Sequence, residues 1–288
     1  MTLPEVLLNS YVHRPSSIVT YYLLLVTYYL SNGGVLEIKS CVAKFISVLA
    51  VLSITASCGA RLETGGAVLR VGVGEGILGL MLKDVADAES GSAADIELHT
   101  FIDCCGSAAQ WAMSSGELDI GFYCISISQT LINFNNELEI YGPAAMNSEV
   151  LALAEGVETP ASIAIPLKRS FLDDLVYSSY PSATEILQVT PIALNNALSG
   201  NHADAAVLDI AQAIKTPDAI FAPIAGEQYV SYCMVVRKEC IATPEFAAFV
   251  EAYNRVADDY NDHGYMTERY GMDSAFWEMV NLKLLHLQ

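Results

Sequence analysis

Beyond residue 67 the chain alternates short apolar runs with segments whose apolar residues recur at helical spacing. The first run, Val68–Val73, is rich in β-branched residues and predicts a buried strand, and Ile77, Leu78, Met81, Leu82 and Val85 then recur as in a helix. The elements predicted in this half are strand Val68–Val73, helix 77–88, strand Asp95–Ile102, helix 106–115, strand Leu118–Tyr123, helix 126–134 and strand 138–141. Strands separated by helices predict a parallel sheet with right-handed crossovers.

The same alternation is repeated in a second unit. Its predicted elements are strand Ser162–Pro166, helix 170–177, strand Ile186–Thr190, helix 191–199 and strand Ala203–Leu208. Residues 112–120 and 197–205 share one pattern, in which a helix end and a glycine are followed by an acidic residue that opens a buried strand. The sequence therefore predicts two similar α/β units.

Two apolar extended runs, Glu149–Ala154 and Tyr229–Val236, are predicted to carry the chain between the units as hinge strands. After the return, Thr243 and Pro244 form an N-cap and first helical residue. A long amphipathic helix and a terminal helix from Asp273 follow, and we expect both to pack on the first unit without a strand of their own. The expected lobes are residues 68–148 with 237–288 for lobe 1, and residues 149–236, including the hinge strands, for lobe 2.

The N-terminal region has the pattern of an export signal. Basic Lys39 and Lys44 precede the apolar run Phe45–Ala56, which has the length of a signal-peptide core rather than of a membrane span. The following residues, Thr55-Ala56-Ser57-Cys58-Gly59, resemble a bacterial lipobox, although Thr55 stands where leucine is usual. The resemblance implies that Cys58 is the lipid-anchored first residue of the mature chain. The alternative is one N-terminal anchor helix with an incidental cysteine.

Either alternative places the body outside the cytoplasm. We expect residues 1–58 to be the signal and lipobox region, with 1–35 untranslated because a start near Leu36 leaves one well-proportioned signal. Residues 59–67 are polar and glycine-rich and are expected to form a tether. The formal net charge of −19 disfavours a nucleic-acid partner, because phosphates would repel such a surface.

With this order of elements, the chain resembles the type-2 periplasmic-binding-protein fold over about residues 68–272. It is most similar to binders of sulfonates, taurine and thiamine precursors, through Ser115-Gly116-Glu117-Leu118-Asp119-Ile120-Gly121 and Glu268-Arg269-Tyr270-Gly271. The resemblance implies a two-lobed α/β clamp that holds a small ligand and delivers it to an ABC permease. No Walker A sequence is present, so the ATPase would be a separate subunit. No cofactor and no catalytic residue are predicted.

Ligands of parallel α/β sheets lie at the carboxyl ends of the strands, where the strand order reverses. This rule, together with aromatic residues near the strand ends, selects the following candidate ligand-binding residues: Gly74, Glu75, Gly76, Asp103, Cys104, Cys105, Ser107, Tyr123, Cys124, Ser126, Arg169, Thr190, Asp209 and Tyr232. If the first strand lies between the second and third, their ends are about 10 Å apart, two strand spacings.

The thiols are the unusual members of this set. Cys104 and Cys105 are predicted where a helix begins, and the positive end of the helix dipole favours a thiolate, which binds soft metals. Asp103-Cys104-Cys105-Gly106 and Cys124 also look like the binding component of selenocysteine-assisted organometal transport. We therefore expect Cys104, Cys105 and Cys124 to be candidate ligands of a thiophilic metal or organometal.

Other interpretations of these residues remain open. The thiols can be buried packing groups, or two of the three can form a disulfide, and the ligand can be a small organic solute such as a sulfonate or an amine. A cysteine-dependent enzyme would need a histidine beside the thiol, and none is evident in the sequence. A sensor or adhesin could use the same clamp without transport.

Overall fold

The computed structural model describes residues 68–89, 95–216 and 218–288. The strands, in chain order, are β1 (Val68–Gly74), β2 (Asp95–Phe101), β3 (Ile120–Tyr123), β4 (Leu138–Met146), β5 (Glu149–Leu153), β6 (Ser162–Pro166), β7 (Glu185–Val189), β8 (Ala205–Asp209), β9 (Ile220–Ala222), β10 (Val230–Arg237) and β11 (Lys283–Leu284). The predicted signal region, Cys58 and the tether at residues 59–67 lie outside the described residues.

Helices flank the strands. They are α1 (Ile77–Glu89), α2 (Ser107–Ser115), α3 (Ile125–Phe134), α4 (Phe171–Ser179), α5 (Leu194–Ser199), α6 (Ile210–Ala213), α7 (Pro244–Asn261), α8 (His263–Tyr270) and α9 (Ser274–Val280), with 3₁₀ turns at Pro191–Ala193 and Lys238–Cys240. In the described part of the chain no helix is long and apolar enough to cross a bilayer.

The strands form two sheets, one for each lobe. The first has the order β11-β4-β10-β3-β1-β2, and the second has the order β7-β6-β8-β5-β9. In the first sheet β1 pairs in parallel with β2 and β3, whereas β10 is antiparallel to both β3 and β4. In the second sheet β6 pairs in parallel with β7 and β8, and β5 is antiparallel to β8 and β9. Each sheet thus contains strands in one direction and an antiparallel crossing strand, and the first sheet also has the short antiparallel β11 at its edge.

The chain crosses between the sheets at Asn147–Ser148 and again between β9 and β10. The backbone N–H of Asn147 donates to Tyr229, the Asn147 side chain accepts from the Tyr229 N–H, and Ser148 N–H donates to the Ser231 hydroxyl. Asn147 has a φ of +54°, a left-handed conformation that asparagine tolerates well. Both crossings are therefore tied together at one hinge.

The structure corrects two details of the predicted organisation. Val230–Arg237, assigned from the sequence to the second lobe as a hinge strand, pairs within the first sheet. The C-terminus does contain a strand, because Lys283–Leu284 pairs with β4. Two residues are too few to show a strand periodicity in the sequence.

The core of the first lobe is built mainly by α1 and α7, which pack beside the sheet. The α7 side chains Phe246, Phe249 and Tyr253 are buried, and Tyr253 stacks on Phe122 of β3 with ring centroids 5.9 Å apart. The Tyr253 hydroxyl donates to the Ala144 carbonyl at 2.8 Å, so its polar end is satisfied. This helix anchors the returning chain to the lobe in which the chain began.

Candidate functional site

Three thiols meet at the carboxyl edge of the first sheet. Cys104 and Cys105 occupy the turn between β2 and α2, and Cys124 directly follows β3 as the N-cap residue of α3. Because β1 lies between β2 and β3, these two turns adjoin. The Cys104 and Cys105 Sγ atoms are 3.5 Å apart, and the Cys105 thiol donates to Cys124 Sγ at 3.0 Å. All three are buried free thiols.

The turn that carries Cys104 and Cys105 is held by neighbouring polar groups. Asp103 Oδ1 accepts the Cys105 backbone N–H at 2.9 Å, and the Gln110 side chain donates to the Cys105 carbonyl at 2.7 Å. The potential ligand atoms of Asp103, Cys104 and Cys105 all lie within 4.8 Å of one another. This set of two sulfur ligands and one carboxylate could hold a metal ion, and thiolate sulfur favours soft metals.

Arg169, from the second lobe, reaches the thiols across the cleft. The residue before it, Lys168, has a φ of +65°, a strained conformation for lysine, at the turn between β6 and α4. The Arg169 guanidinium pairs with Glu149, donates to the Tyr232 hydroxyl, and donates to Cys104 Sγ at 3.6 Å. It also lies over the Tyr232 ring, 5.1 Å from its centroid. One buried cation thus joins both sheets to the thiol cluster.

Glu149 balances the charge of Arg169, and the neutral Tyr232 hydroxyl accepts a hydrogen bond from it. Glu149, which opens β5, also accepts hydrogen bonds from the Ser231 hydroxyl at 2.9 Å and the Tyr229 hydroxyl at 3.2 Å. Burial disfavours the Arg169 cation, but Tyr232 and Glu149 outweigh this effect and raise the pKa of Arg169 above its ordinary value. Arg169 therefore stays charged beside Cys104.

The three thiols differ in acidity because they share hydrogen bonds. Donation from Cys105, aided by the positive charge of Arg169, lowers the pKa of Cys104 against the opposing effect of burial. Hydrogen bonding to Cys104 and Cys124 raises the pKa of Cys105. Donation from Cys105 is also the main cause that lowers the pKa of Cys124, to about 6. Because Cys105 has one thiol proton and donates it to one neighbour at a time, the cluster has a protonated centre, Cys105, and favours a thiolate at either Cys104 or Cys124.

A cavity between the lobes opens next to this cluster. The cavity has a volume of about 30 Å³. Because a cavity needs about 10–15 Å³ to hold one water, this space suits two or three small groups. It is lined by Gly74, Glu75, Ile102, Asp103, Cys104, Glu149, Pro166, Arg169, Pro191, Leu194, Asp209, Gln212 and Tyr232. Four carboxylates and one guanidinium line the cavity, so its charge favours a cation.

Several predicted site residues line this cavity, namely Gly74, Glu75, Asp103, Cys104, Arg169, Asp209 and Tyr232. Cys105 and Cys124 lie directly behind Cys104 in the thiol cluster, and Ser126 is 3.4 Å from Cys124 Sγ. Gly76 lies against the Asp209 carboxylate. Most of the candidates selected by the rule for parallel sheets therefore lie at or beside this cavity.

Other candidates lie elsewhere. Tyr123 does not line the cavity: it is buried in a separate cluster with α2 and α3 and donates its hydroxyl hydrogen to the Ala109 carbonyl. The cause is strand alternation, since Cys124 follows it and faces the other way. Thr190 is exposed at the start of a 3₁₀ turn. Ser107 lies at the exposed rim, where it accepts from Lys168 Nζ at 3.4 Å.

No protein-family model matches the chain, and no curated protein matches it. Solved structures do match. A pheromone cOB1 precursor/lipoprotein of the YaeC family from Enterococcus faecalis superposes over 76% of this chain and 100% of its own, with a TM-score of 0.55 and 14% identity. The zinc-bound ligand-binding component of an ABC-type import system from Staphylococcus aureus matches over 76% and 86% of the two chains, with a TM-score of 0.55 and 15% identity.

A third match is the alkanesulfonate-binding protein SsuA from Xanthomonas axonopodis, bound to MOPS. It covers 75% of this chain and 84% of its own, with a TM-score of 0.53 and 14% identity. The chain has the type-2 periplasmic-binding-protein fold. The predicted fold class is confirmed, and Cys104 of the thiol cluster lines the cavity between the two lobes of this fold.

Within this periplasmic-binding-protein fold, sequence reasoning missed Glu149, the buried partner of Arg169. The run that contains it was interpreted only as a connecting strand. A carboxylate that opens an otherwise apolar segment was the available signal, because a buried charge is retained only with a partner. Ile102, Pro191, Leu194 and Gln212 were also missed, and they are residues whose types carry no chemical signal of their own.

Proposed function

We propose that this chain is an extracytoplasmic solute-binding protein, anchored by lipid at Cys58, that delivers a thiophilic metal or organometal cation to an ABC permease. The fold is shared with proteins described as lipoproteins and as ligand-binding components of ABC-type import. The observation that supports this ligand class is the chain of three thiols, Cys104, Cys105 and Cys124, which adjoins the cleft between the lobes.

The chemistry of the cleft favours this ligand class over an anion. Thiolates are soft ligands and prefer soft metals to Mg²⁺ or Ca²⁺. The only guanidinium lining the described cavity, Arg169, is already paired with Glu149, so a sulfonate would meet a predominantly negative surface. The small cavity also suits a metal ion or a two-atom group such as methylmercury better than a long alkanesulfonate.

In this proposal the two lobes, each built on one of the two sheets, close about the crossings near Asn147 and Tyr229. The ligand enters between them, and the closed form is the one that docks on the permease. A small organic amine is the second candidate, because the carboxylates that line the cavity would also attract an organic cation.

A thermal-shift screen of the purified protein, reduced and anaerobic, tests the ligand class. We expect Hg(II) or methylmercury to stabilise the wild type by about 2.7 kcal/mol at a hundredfold excess over its Kd, which is roughly 5–10 °C in Tm. Cu(I), Zn(II), taurine, alkanesulfonates and pyrimidines complete the screen. The variant Cys104→Ser/Cys105→Ser should lose the shift.

Cys240→Ser is the matched control, because Cys240 is a half-buried thiol in the 3₁₀ turn after β10, away from the residues that line the cavity. This variant should keep the full shift. Equal stabilisation of the wild type and the double variant by thiophilic species would rule out the thiols as the binding groups.

A further inference from the structure

Asp209 joins the two lobes beside the cavity. It ends β8 of the second lobe, and its Oδ1 atom accepts the Ala211 N–H of its own lobe and the Ile77 N–H of the first lobe, both at 2.8 Å. Ile77 is the first residue of α1, whose initial N–H groups have no partner within the helix. Because the Ile77 bond joins the two lobes, Asp209 stabilises the closed form.

The second carboxylate oxygen of Asp209 has a different environment. Oδ2 is buried and has no hydrogen-bond partner among the described residues. It lies against Gly76, where an added Cβ would come within 2.5 Å of Oδ2, so only glycine permits this approach. An unpaired buried polar atom of this kind destabilises the unliganded site. Asp209 lines the same cavity as Cys104.

Asp209 lies near the negative charge of Glu149 and near the positive charge of Arg169, which other groups already engage. Arg169 is engaged by Glu149, Tyr232 and Cys104. Burial and then the charge of Glu149 raise the pKa of Asp209 to about 7, against the opposing effects of Arg169 and the Ala211 and Ile77 N–H groups. An additional positive charge in the cavity would therefore stabilise the Asp209 carboxylate.

Two glycines of the turn after β1 lie beside Cys104 and Asp209. An added Cβ on Gly74 would lie 2.8 Å from the Cys104 Cβ, just as Gly76 adjoins Asp209. Gly74 and Gly76 are two residues apart, which spans at most about 7 Å. Because Cys104 and Asp209 line the same small cavity, a ligand of two or three heavy atoms can contact both.

We propose that Asp209 is a ligand contact that selects for positive charge: Oδ2 faces the bound cation while Oδ1 holds the start of α1. Capture of a cation and closure of the lobes then stabilise each other. This inference rests on the proposed function for the thiol end of the site, and it narrows the ligand to a small cation. Neutral and anionic solutes lack the charge that Asp209 requires.

Isothermal titration calorimetry on the full-length protein in detergent, under anaerobic conditions, tests this role with two probes, methylmercury and ethylammonium. Asp209→Asn removes the charge and keeps the side-chain shape. We expect it to weaken methylmercury binding at least tenfold. Asp204→Asn is the matched control, because Asp204 also accepts two backbone N–H groups, those of Ala161 and Ser162, both in the second lobe. The affinity of this control for methylmercury should lie within twofold of that of the wild type.

Gly76→Ala provides a second variant, in which the new methyl group would displace Oδ2 without changing any charge. We expect it, too, to weaken binding at least tenfold, and it carries the test if thermal melting shows that Asp209→Asn does not fold. Equal methylmercury affinities of Asp209→Asn, Gly76→Ala and wild type would overturn the role of Asp209 and leave the thiol proposal standing.

The two proposals fail in different ways. If methylmercury does not bind but ethylammonium binds and Asp209→Asn weakens it at least tenfold, the thiophilic ligand is overturned and the Asp209 contact is supported. If neither probe binds the wild type, both proposals are overturned. If Cys104→Ser/Cys105→Ser abolishes methylmercury binding and Asp209→Asn weakens it tenfold, both are supported.

Discussion

Replacing Arg169 by methionine is expected to destabilise the protein by about 3–5 kcal/mol, because Glu149 would remain as an uncompensated buried charge. The Glu149 side chain is only 1% exposed, and the Ser231 and Tyr229 hydroxyls that remain beside it carry no charge. Chemical denaturation should show this loss as a lower midpoint, and thermal melting should show a Tm lower by roughly 6–20 °C. Cys104 would also lose the cation that favours its thiolate, so binding of thiophilic species should weaken.

Arg255→Met is the matched control for this variant. Arg255 pairs with Glu89 at 2.8 Å, but its side chain is 53% exposed, and exposed pairs contribute at most about 1 kcal/mol. Arg169→Lys should recover only part of the loss, because an ammonium group lacks the planar fork that reaches Glu149 and Tyr232 together. The double change Arg169→Met/Glu149→Leu should recover most of the stability, since it removes both charges.

If Arg169→Met and Arg255→Met had the same stability, Glu149 would not be the uncompensated buried charge that the structure indicates. If the double change were less stable than Arg169→Met alone, the cost would come from lost packing rather than from an uncompensated charge. These two outcomes separate electrostatics from packing at the centre of the cleft.

Trp277→Ala is expected to cost about 3–5 kcal/mol, the usual result of removing a large buried aromatic side chain. Trp277 lies on α9 and is 1% exposed. Its ring packs edge-on against Phe276 with centroids 5.0 Å apart, and its indole N–H donates to the Met272 carbonyl at 3.2 Å. Circular dichroism during thermal unfolding would measure the loss.

The chain supplies its own control, because its other tryptophan, Trp111, is 62% exposed on α2. Trp111→Ala should change stability by no more than about 0.5 kcal/mol. In Trp277→Ala the remaining tryptophan fluorescence would come from Trp111 alone. Equal stabilities of the two variants would contradict the packing of α9 in the core.

The loss of packing at Trp277 is expected to affect both lobes. Its neighbour Phe276 packs edge-on against Phe221 of β9, in the second sheet, with ring centroids 5.3 Å apart. The sequence predicted that the terminal helices pack on the first lobe, and α7 does so, but α9 also reaches the second lobe through this contact. A helix periodicity identifies the apolar face and does not state which surface covers it.

Local rules were sufficient to predict most of the elements. Gly116 was expected to cap α2, and it has the left-handed φ of 85° that such a cap requires. Thr243 was expected to cap α7, and its hydroxyl accepts the Phe246 N–H at 3.2 Å. The strand–helix alternation likewise predicted the placement of Cys104, Cys105 and Cys124 at neighbouring strand ends. These features depend on residues close in sequence and on a general rule of parallel sheets.

The sequence by itself thus determined the alternating elements, the two similar lobes and the edge of the sheet where the thiols lie. Only the tertiary structure decided that Arg169 joins Glu149, Tyr232 and Cys104, which are 20, 63 and 65 residues away from it in the chain. It also decided that Asp209 reaches Ile77, 132 residues away. The physical reason is that periodicity and capping report local geometry, whereas these contacts depend on the strand order within the second sheet and on how the two lobes meet.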